Sequence, residues 1–495
     1  MNDQRHWALI RNSYADAVAW PPRLAVGWFF VPLLAAISGL ALGVLLTAAN
    51  PLYAAAGLMG LAVGVLILLR TQIGLLSFIF VALLLPFAVI PLPLGTVKLT
   101  FIDATLSILL LVWLARVLVD PHERLRTSRL GIVIVLFVLL AVVSFAAGTA
   151  YAVSPEATRL YLKLLNSIIL FFTILNCVRA RKHLDQLVLG LIVAGSIAAI
   201  VGVVLYVIPA GTATALLTSL RPLGYYPGGT EVLRYIADTK TLRAISTSVD
   251  PNVLGSMLMV CLTLSVSQLL SPRPLLARKW LAPAAGITFA CLLLTLSRSA
   301  WMGFAGAVLF VGTVKYRRLW FVFALIGVAL YFGLLPQDLP FIGHLESGLA
   351  ARDKAAAMRL GEYKDALQLI SQYPWFGVGF GSSPSIDLYV GVSSIYLLMA
   401  EQMGLIGLGV FLLAMATLLW QALRALGTVR DPALHAMFLG LVAAILAALV
   451  AGLFDHHFFN LRFPHVVALF WMLVGLISVG VKLIQAEGDP DARGY

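Results

Sequence analysis

The chain is poor in charge. Only 11% of its 495 residues are Asp, Glu, Lys or Arg, whereas 61% are hydrophobic and the mean hydropathy is +0.98. Soluble domains carry about 25% charged residues, so an ordinary water-soluble enzyme is excluded. Cysteine is scarce as well. Cys177, Cys261 and Cys291 are far apart and lie in or beside apolar runs, which excludes a disulfide framework and reads as small core residues. There is no GxxxxGK[ST] loop, no GxGxxG after a strand and no acidic metal cluster, so ATP hydrolysis and divalent-metal catalysis are not expected. Heptads, short repeats and low-complexity tracts are also missing.

What the sequence has is apolar runs long enough to span a bilayer, which takes about 20 residues each. They are placed near 24–49, 51–69, 73–93, 99–115, 130–149, 160–178, 184–209, 252–271, 280–297, 299–314, 319–336, 395–423, 433–453 and 464–481. The expectation is an all-α integral membrane protein of about 14 transmembrane helices (12–14), with 299–314 short enough to be half-buried or re-entrant. The first 23 residues are polar and aromatic, so no cleavable signal is expected. The simplest organisation is one polytopic domain over 1–495.

The net charge of +12 would suggest nucleic acid in a soluble protein. Here membrane topology accounts for most of it, because with both termini cytoplasmic the basic residues fall mainly on alternate, cytoplasmic connections. The exceptions cluster on the outer side. Arg221, Arg234, Lys240 and Arg243 lie in the connection 210–251, Arg298 in a tight turn, and Arg352, Lys354, Arg359 and Lys364 in the connection 337–394. The second of these long loops predicts an amphipathic helix from Ala355 to Tyr373. Leu360, Tyr363, Leu367 and Ile370 recur at helical spacing, with Arg359, Glu362, Lys364 and Asp365 on the other faces. Pro374 ends it, and the glycine-rich turn Gly377-Val378-Gly379-Phe380-Gly381 follows.

Arg298 stands between two apolar runs in Leu296-Ser297-Arg298-Ser299-Ala300-Trp301. A guanidinium at that depth either lines a polar cavity or snorkels to headgroups, and the cavity is the preferred reading. Arg243 is assigned to ligand binding, Asp250 and Asn252 to capping the helix that begins at Pro251, and Arg359 equally to a ligand or to a solvated face. Several fixed arginines suit a phosphate or pyrophosphate, which guanidinium groups bind bidentately and can stabilise as it departs. His456 and His457, with His465 nearby, are read as interfacial hydrogen-bonding groups, and His344 has no distinguishing neighbours.

Four stretches, Arg243–Gly255 (RAISTSVDPNVLG), Leu296–Gly303 (LSRSAWMG), Arg359–Gly381 (RLGEYKDALQLISQYPWFGVGFG) and Tyr396–Gly407 (YLLMAEQMGLIG), resemble the bacterial O-antigen ligase and O-antigen polymerase family. The resemblance covers roughly 240–420 as a ligase/polymerase-like core, with 337–394 as its large extracytoplasmic loop. It implies a GT-C-like fold in the bacterial inner membrane. It also implies transfer of a glycan from an undecaprenyl (polyprenyl) pyrophosphate carrier to a glycan or lipid acceptor hydroxyl on the outer face, in cell-surface polysaccharide assembly. The implied enzyme is a metal-independent membrane glycosyltransferase with no cofactor and no nucleic-acid partner. Catalytic candidates are Arg298, Arg243 and Arg359. In ligases of this family a His-Asn pair precedes the tyrosine matching Tyr396, but here Ser393 and Ser394 stand there. Asp387 and Glu401 are the substitutes considered for the missing base, Glu401 alternatively as a buried partner for an arginine. Rival readings are a lipid-linked oligosaccharide flippase, which would alternate access between related halves, and a non-catalytic partner of a polysaccharide export system.

Overall fold

A computed structural model describes residues 70–90, 99–119, 125–148, 154–225, 232–236, 240–321, 324, 325, 328, 354–381 and 392–488. The expected spans at 24–49 and 51–69, most of 319–336, and His344, Arg352 and Asp387 lie outside the described residues. The helices are α1 Thr71–Leu84, α2 Phe101–Val119, α3 Arg129–Gly148, α4 Pro155–Cys177, α5 Arg181–Val207, α6 Ala210–Thr218, α7 Pro251–Leu269, α8 Arg278–Leu294, α9 Arg298–Val314, α10 Lys354–Gln372, α11 Ile395–Leu426, α12 Pro432–Ala451 and α13 Pro464–Gly488. Eight of the helices among the described residues are long and apolar enough to cross a membrane, and α1 and α9 are shorter apolar helices. The chain is a multi-pass, all-α membrane protein.

Sequence chemistry explains the boundaries. The stretch expected to span 73–93 is helical only to Leu84, because Pro86 follows and Leu85 leaves helical geometry at φ −139° and ψ 51°. Ser154, Asp250 and Asp431 accept hydrogen bonds from the first backbone amides of α4, α7 and α12, each with proline at the start of the helix. Most residues of the segment from Pro464 to Glu487 are buried. It packs along α4 and also touches α11 and α12; α12 in turn packs on α7 and α9. By contrast α2 and α3 turn Leu111, Leu118, Ile132 and Leu139 outward, each more than half exposed. Leucines facing outward on long apolar helices fit a lipid surround. Cys261 and Cys291 are buried free thiols.

The helix α11 is broken at Gly404, whose φ of +68° and ψ of −179° are not helical. The glycine-rich turn lies on this break. Val378 N–H donates to Glu401 O at 2.8 Å, Gly379 N–H to Gln402 O at 3.1 Å, and Leu405 N–H to Pro374 O at 2.7 Å. The turn therefore satisfies carbonyls that the break releases, as a broken membrane helix requires.

The helix α10 forms where expected but is turned differently. Its protein-facing side carries Glu362, Tyr363, Ala366 and Leu369, with Ala366 and Leu369 buried, while Met358, Leu360 and Leu367 are each more than half exposed. The helix has two apolar stripes, and the one holding Tyr363, whose hydroxyl finds buried carbonyls, is the one that docks.

Candidate functional site

The site is built at the end of the bundle where α8 and α12 finish and α7, α9 and α13 begin. A two-stranded antiparallel hairpin, β1 Arg234–Tyr235 and β2 Leu242–Arg243, brings Arg234 directly opposite Arg243. Like charges facing each other across strands are unfavourable, so the hairpin concentrates positive potential. Arg243 Nε donates to Thr295 O at 2.8 Å, and its Nη2 donates to Asn252 Oδ1 at 2.6 Å and to Leu296 O at 3.3 Å. These bonds lock the hairpin to the α8–α9 turn and to the start of α7. Asp250 caps α7 as its spacing predicts, Oδ1 accepting from Asn252 N–H at 2.7 Å and Val253 N–H at 3.1 Å. Asn252 instead serves Arg243.

Backbone strain gathers around this clamp. Ser246, Val249 and Leu296 adopt φ of +49°, +63° and +51°, positions that non-glycine residues rarely hold and that cost about 1–3 kcal/mol each. Leu296 lies in the turn that sets Arg298 as the first residue of α9. A cation there meets the positive end of the helix dipole, which raises local potential further.

Asp455, in the α12–α13 turn, joins the elements. Its Oδ2 accepts from Ser299 Oγ at 3.1 Å, and its Oδ1 lies 3.0 Å from His457 Nε2 and 3.8 Å from His456 Nδ1. The same turn is tied to the connection before α11. Ser394 Oγ donates to Gly452 O at 3.3 Å, and Ile395 N–H to Gly452 O at 2.9 Å. From α10, Tyr363 OH donates to Ser393 O at 3.1 Å and Leu453 O at 3.3 Å, and Glu362 Oε2 accepts from Ser393 N–H at 3.0 Å. Arg359, one helical turn before Tyr363, thereby faces the cluster.

The electrostatics agree with this arrangement. Burial pushes the Arg243 guanidinium down to about 10, attraction to Asp250 and Asp455 opposes this, and repulsion from Arg359 and Arg298 adds to it. The three arginines chosen from sequence thus come from three separate elements into mutual range. Burial alone would raise the Asp455 carboxyl, but charge and hydrogen bonding from His457, then His456 and Arg359, hold it well below the usual carboxylate range. Burial opposes charging of His457, yet Asp455 and Asp250 outweigh it and raise its pKa, against repulsion from Arg359. Asp455 and His457 therefore form a buried ion pair beside the arginines.

The histidines depart from the interfacial role expected of them. His457 is 4% exposed and His465 is fully buried. The ring of His465 lies edge-on to Phe87 at 5.1 Å and to Phe463 at 6.2 Å, and neither of its nitrogens has a hydrogen-bond partner among the described residues. Sequence reasoning treated these groups separately from the arginines. The available signal was Asp-His-His held between two long apolar runs. Asp455, His456 and His457 offer donor atoms within 4.8 Å of one another, a spacing a metal could use, but the nearby guanidinium groups oppose a cation. Glu401 is half-buried beside the α11 break, and no ion pair to it occurs among the described residues, so the arginine partner considered for it is not found there.

Residues 283–412, running from within α8 into α11, match the family model described as O-antigen ligase. This segment is similar to that family. Arg298, Arg359 and Glu401 lie inside the match, and Arg243 and Asp455 outside it. The match supports membrane glycan transfer in polysaccharide assembly. No curated protein matches the chain. One solved structure, described as "Structural coordination of polymerization and crosslinking by a peptidoglycan synthase complex", is 14% identical over 71% of this chain and 96% of its own, with a TM-score of 0.38, too low to argue from.

Proposed function

We propose that the protein transfers an oligo- or polysaccharide from an undecaprenyl pyrophosphate carrier to an acceptor hydroxyl on the outer face of the bacterial inner membrane. The observation that carries this reading is the convergence of Arg243, Arg298 and Arg359 at one end of the bundle. Three guanidinium groups that repel one another call for an anion, and a pyrophosphate offers oxygens for several bidentate contacts. The acceptor oxygen attacks the anomeric carbon while the bond to the carrier phosphate breaks and the pyrophosphate keeps the electron pair. The arginines stabilise the charge that develops on that leaving group. The family match over 283–412 supports the same chemistry.

The test is Arg298→Ala in a strain deleted for the gene. Charge-assisted hydrogen bonds contribute about 1.5–3 kcal/mol each, so losing a bidentate pair should abolish visible polymer and let carrier-linked glycan accumulate. Purified Arg298→Ala should bind farnesyl pyrophosphate at least about 10-fold more weakly than wild type. Unchanged binding together with a full polymer ladder would refute the reading. The deletion phenotype then separates the two branches, since capped single repeats indicate a polymerase and unattached carrier-linked chains a ligase.

A further inference from the structure

The inference drawn here rests on the glycan-transfer reading and concerns where the acceptor's proton goes. In the ligases that the sequence resembles, a histidine would stand at Ser393. Neither serine there is placed to act as a base. Ser394 is 4% exposed and its hydroxyl donates to Gly452 O, while Ser393 supplies its backbone N–H to Glu362 and its carbonyl to Tyr363.

The chain that these serines touch is the α12–α13 turn. Gly452 and Leu453 accept hydrogen bonds from Ser394, Ile395 and Tyr363, and the same turn then delivers Asp455, His456 and His457. We propose that His456 is the general base of the transfer, oriented by Asp455.

Accessibility singles out His456 within the cluster. Its side chain is 23% exposed, against 7% for Asp455 and 5% for His457, and His465 is fully buried. Orientation comes from Asp455, which Ser299 fixes through Oδ2 and the His456 backbone N–H fixes through Oδ1 at 2.8 Å. Nδ1 is buried 3.8 Å from that Oδ1, an electrostatic contact too long for a hydrogen bond, which leaves Nε2 as the nitrogen to accept. Asp455 is bonded to the residue next to Arg298, so the base and the leaving-group arginines belong to one rigid constellation.

The hydroxyl proton passes to His456 as its oxygen bonds to the anomeric carbon, and the pyrophosphate leaves with the electron pair. The imidazolium then returns the proton to water at its exposed edge. The charged groups facing the ring are Asp455 and His457 from its own turn, Asp250 from the cap of α7, and Arg359 from α10. Burial lowers its pKa to about 4, the His457 and Arg359 charges add to this, and Asp455 and Asp250 oppose it. The ring is therefore neutral, with its lone pair free. A pyrophosphate on the arginines offsets the repulsion from Arg359, the smallest of these influences on the ring.

The experiment uses the full-length protein in membranes of the deletion strain, which carry their own lipid-linked glycan, alongside purified protein for binding. His456→Gln should lower turnover per folded protein by about 100-fold or more, with farnesyl pyrophosphate binding within about twofold of wild type. Added imidazole should restore part of the activity of His456→Ala. The low-pH limb of the wild-type rate profile should vanish from the residual activity of that variant. Turnover of His456→Gln within about fivefold of wild type, or a folded His456→Ala that imidazole does not rescue, would overturn the assignment. So would one equivalent of zinc or cobalt bound by wild type and lost in His456→Gln. If wild type neither binds farnesyl pyrophosphate nor forms polymer, it is the glycan-transfer reading itself that fails.

Discussion

Arg243 is held so firmly by protein groups that its replacement should reveal two separable losses. Removing the guanidinium in Arg243→Ala strips donors from Thr295 O, Leu296 O and Asn252 Oδ1. Thr295 and Leu296 are 0% and 4% exposed, so water does not readily replace the lost donors. An unmet buried acceptor costs about 1–3 kcal/mol. The contact to Leu296 is long, which leaves two well-formed bonds and an expected loss of about 2–6 kcal/mol. Domains of 150–250 residues lose about 2–4 °C in melting temperature per kcal/mol, so even a diluted effect in this larger chain should reach several degrees. Tryptophan-fluorescence melting of purified protein would read it, with polymer formation followed in parallel. Arg243→Lys keeps the charge but loses the fork, and should recover a minor part of the stability and little activity. Asn252→Ala removes one partner and should fall between Arg243→Ala and wild type. A melting temperature for Arg243→Ala within about 1 °C of wild type would refute the clamp. Full recovery by lysine would show that charge alone matters there.

Other expectations follow from the same geometry. Gly404→Ala places a Cβ 2.1 Å from Trp375 O at a φ of +68°, whereas Gly409→Ala meets nothing within 4 Å; the first should fail to accumulate in membranes and the second should match wild type by immunoblot. Tyr363→Phe deletes the donor to Ser393 O and Leu453 O, so it should destabilise the protein by about 1–2 kcal/mol, read as a lower melting temperature, and make the α10–α11 connection more susceptible to limited proteolysis. The Asp455–His457 pair should give stability a bell-shaped pH dependence. The lowered Asp455 pKa contributes stability that is present above the unfolded value of about 4 and lost as pH falls through the folded one. The raised His457 pKa contributes stability that is complete below the unfolded value of about 6.5 and lost as pH rises through the folded one. Melting temperature measured across pH should therefore peak between these limits, and Asp455→Asn should flatten both flanks.

The spans found among the described residues were legible because a bilayer demands continuous apolar length, a property carried by each segment alone. The arginines were legible for a related reason: topology explains most basic residues, and Arg243, Arg298 and Arg359 are among those it leaves over. Tertiary contacts decided the rest. Ser299 and Asp455 meet across 156 residues, so nothing local to Asp455-His456-His457 ties it to Arg298. The docking face of α10 was ambiguous because Leu360 and Leu367 form a stripe as apolar as that of Tyr363 and Leu369. The glycine-rich turn after Pro374 acquires its role only from a break in α11 that begins more than 20 residues later.

The arrangement of charge also constrains how such a site works when empty. Three arginines crowded at one end of a membrane bundle destabilise it unless acids are near, and Asp250 and Asp455 supply that compensation. Too much compensation would remove the affinity for the proposed pyrophosphate. Asp250 is partly committed to capping α7 through Oδ1, and Asp455 is committed to Ser299 and to His457, whose own positive charge offsets it. The arginines are thus shielded from one another without being neutralised. Substituting His457 with a neutral residue would release the Asp455 charge onto the arginines, so His457→Gln should weaken farnesyl pyrophosphate binding even though His457 is too deeply buried to touch it.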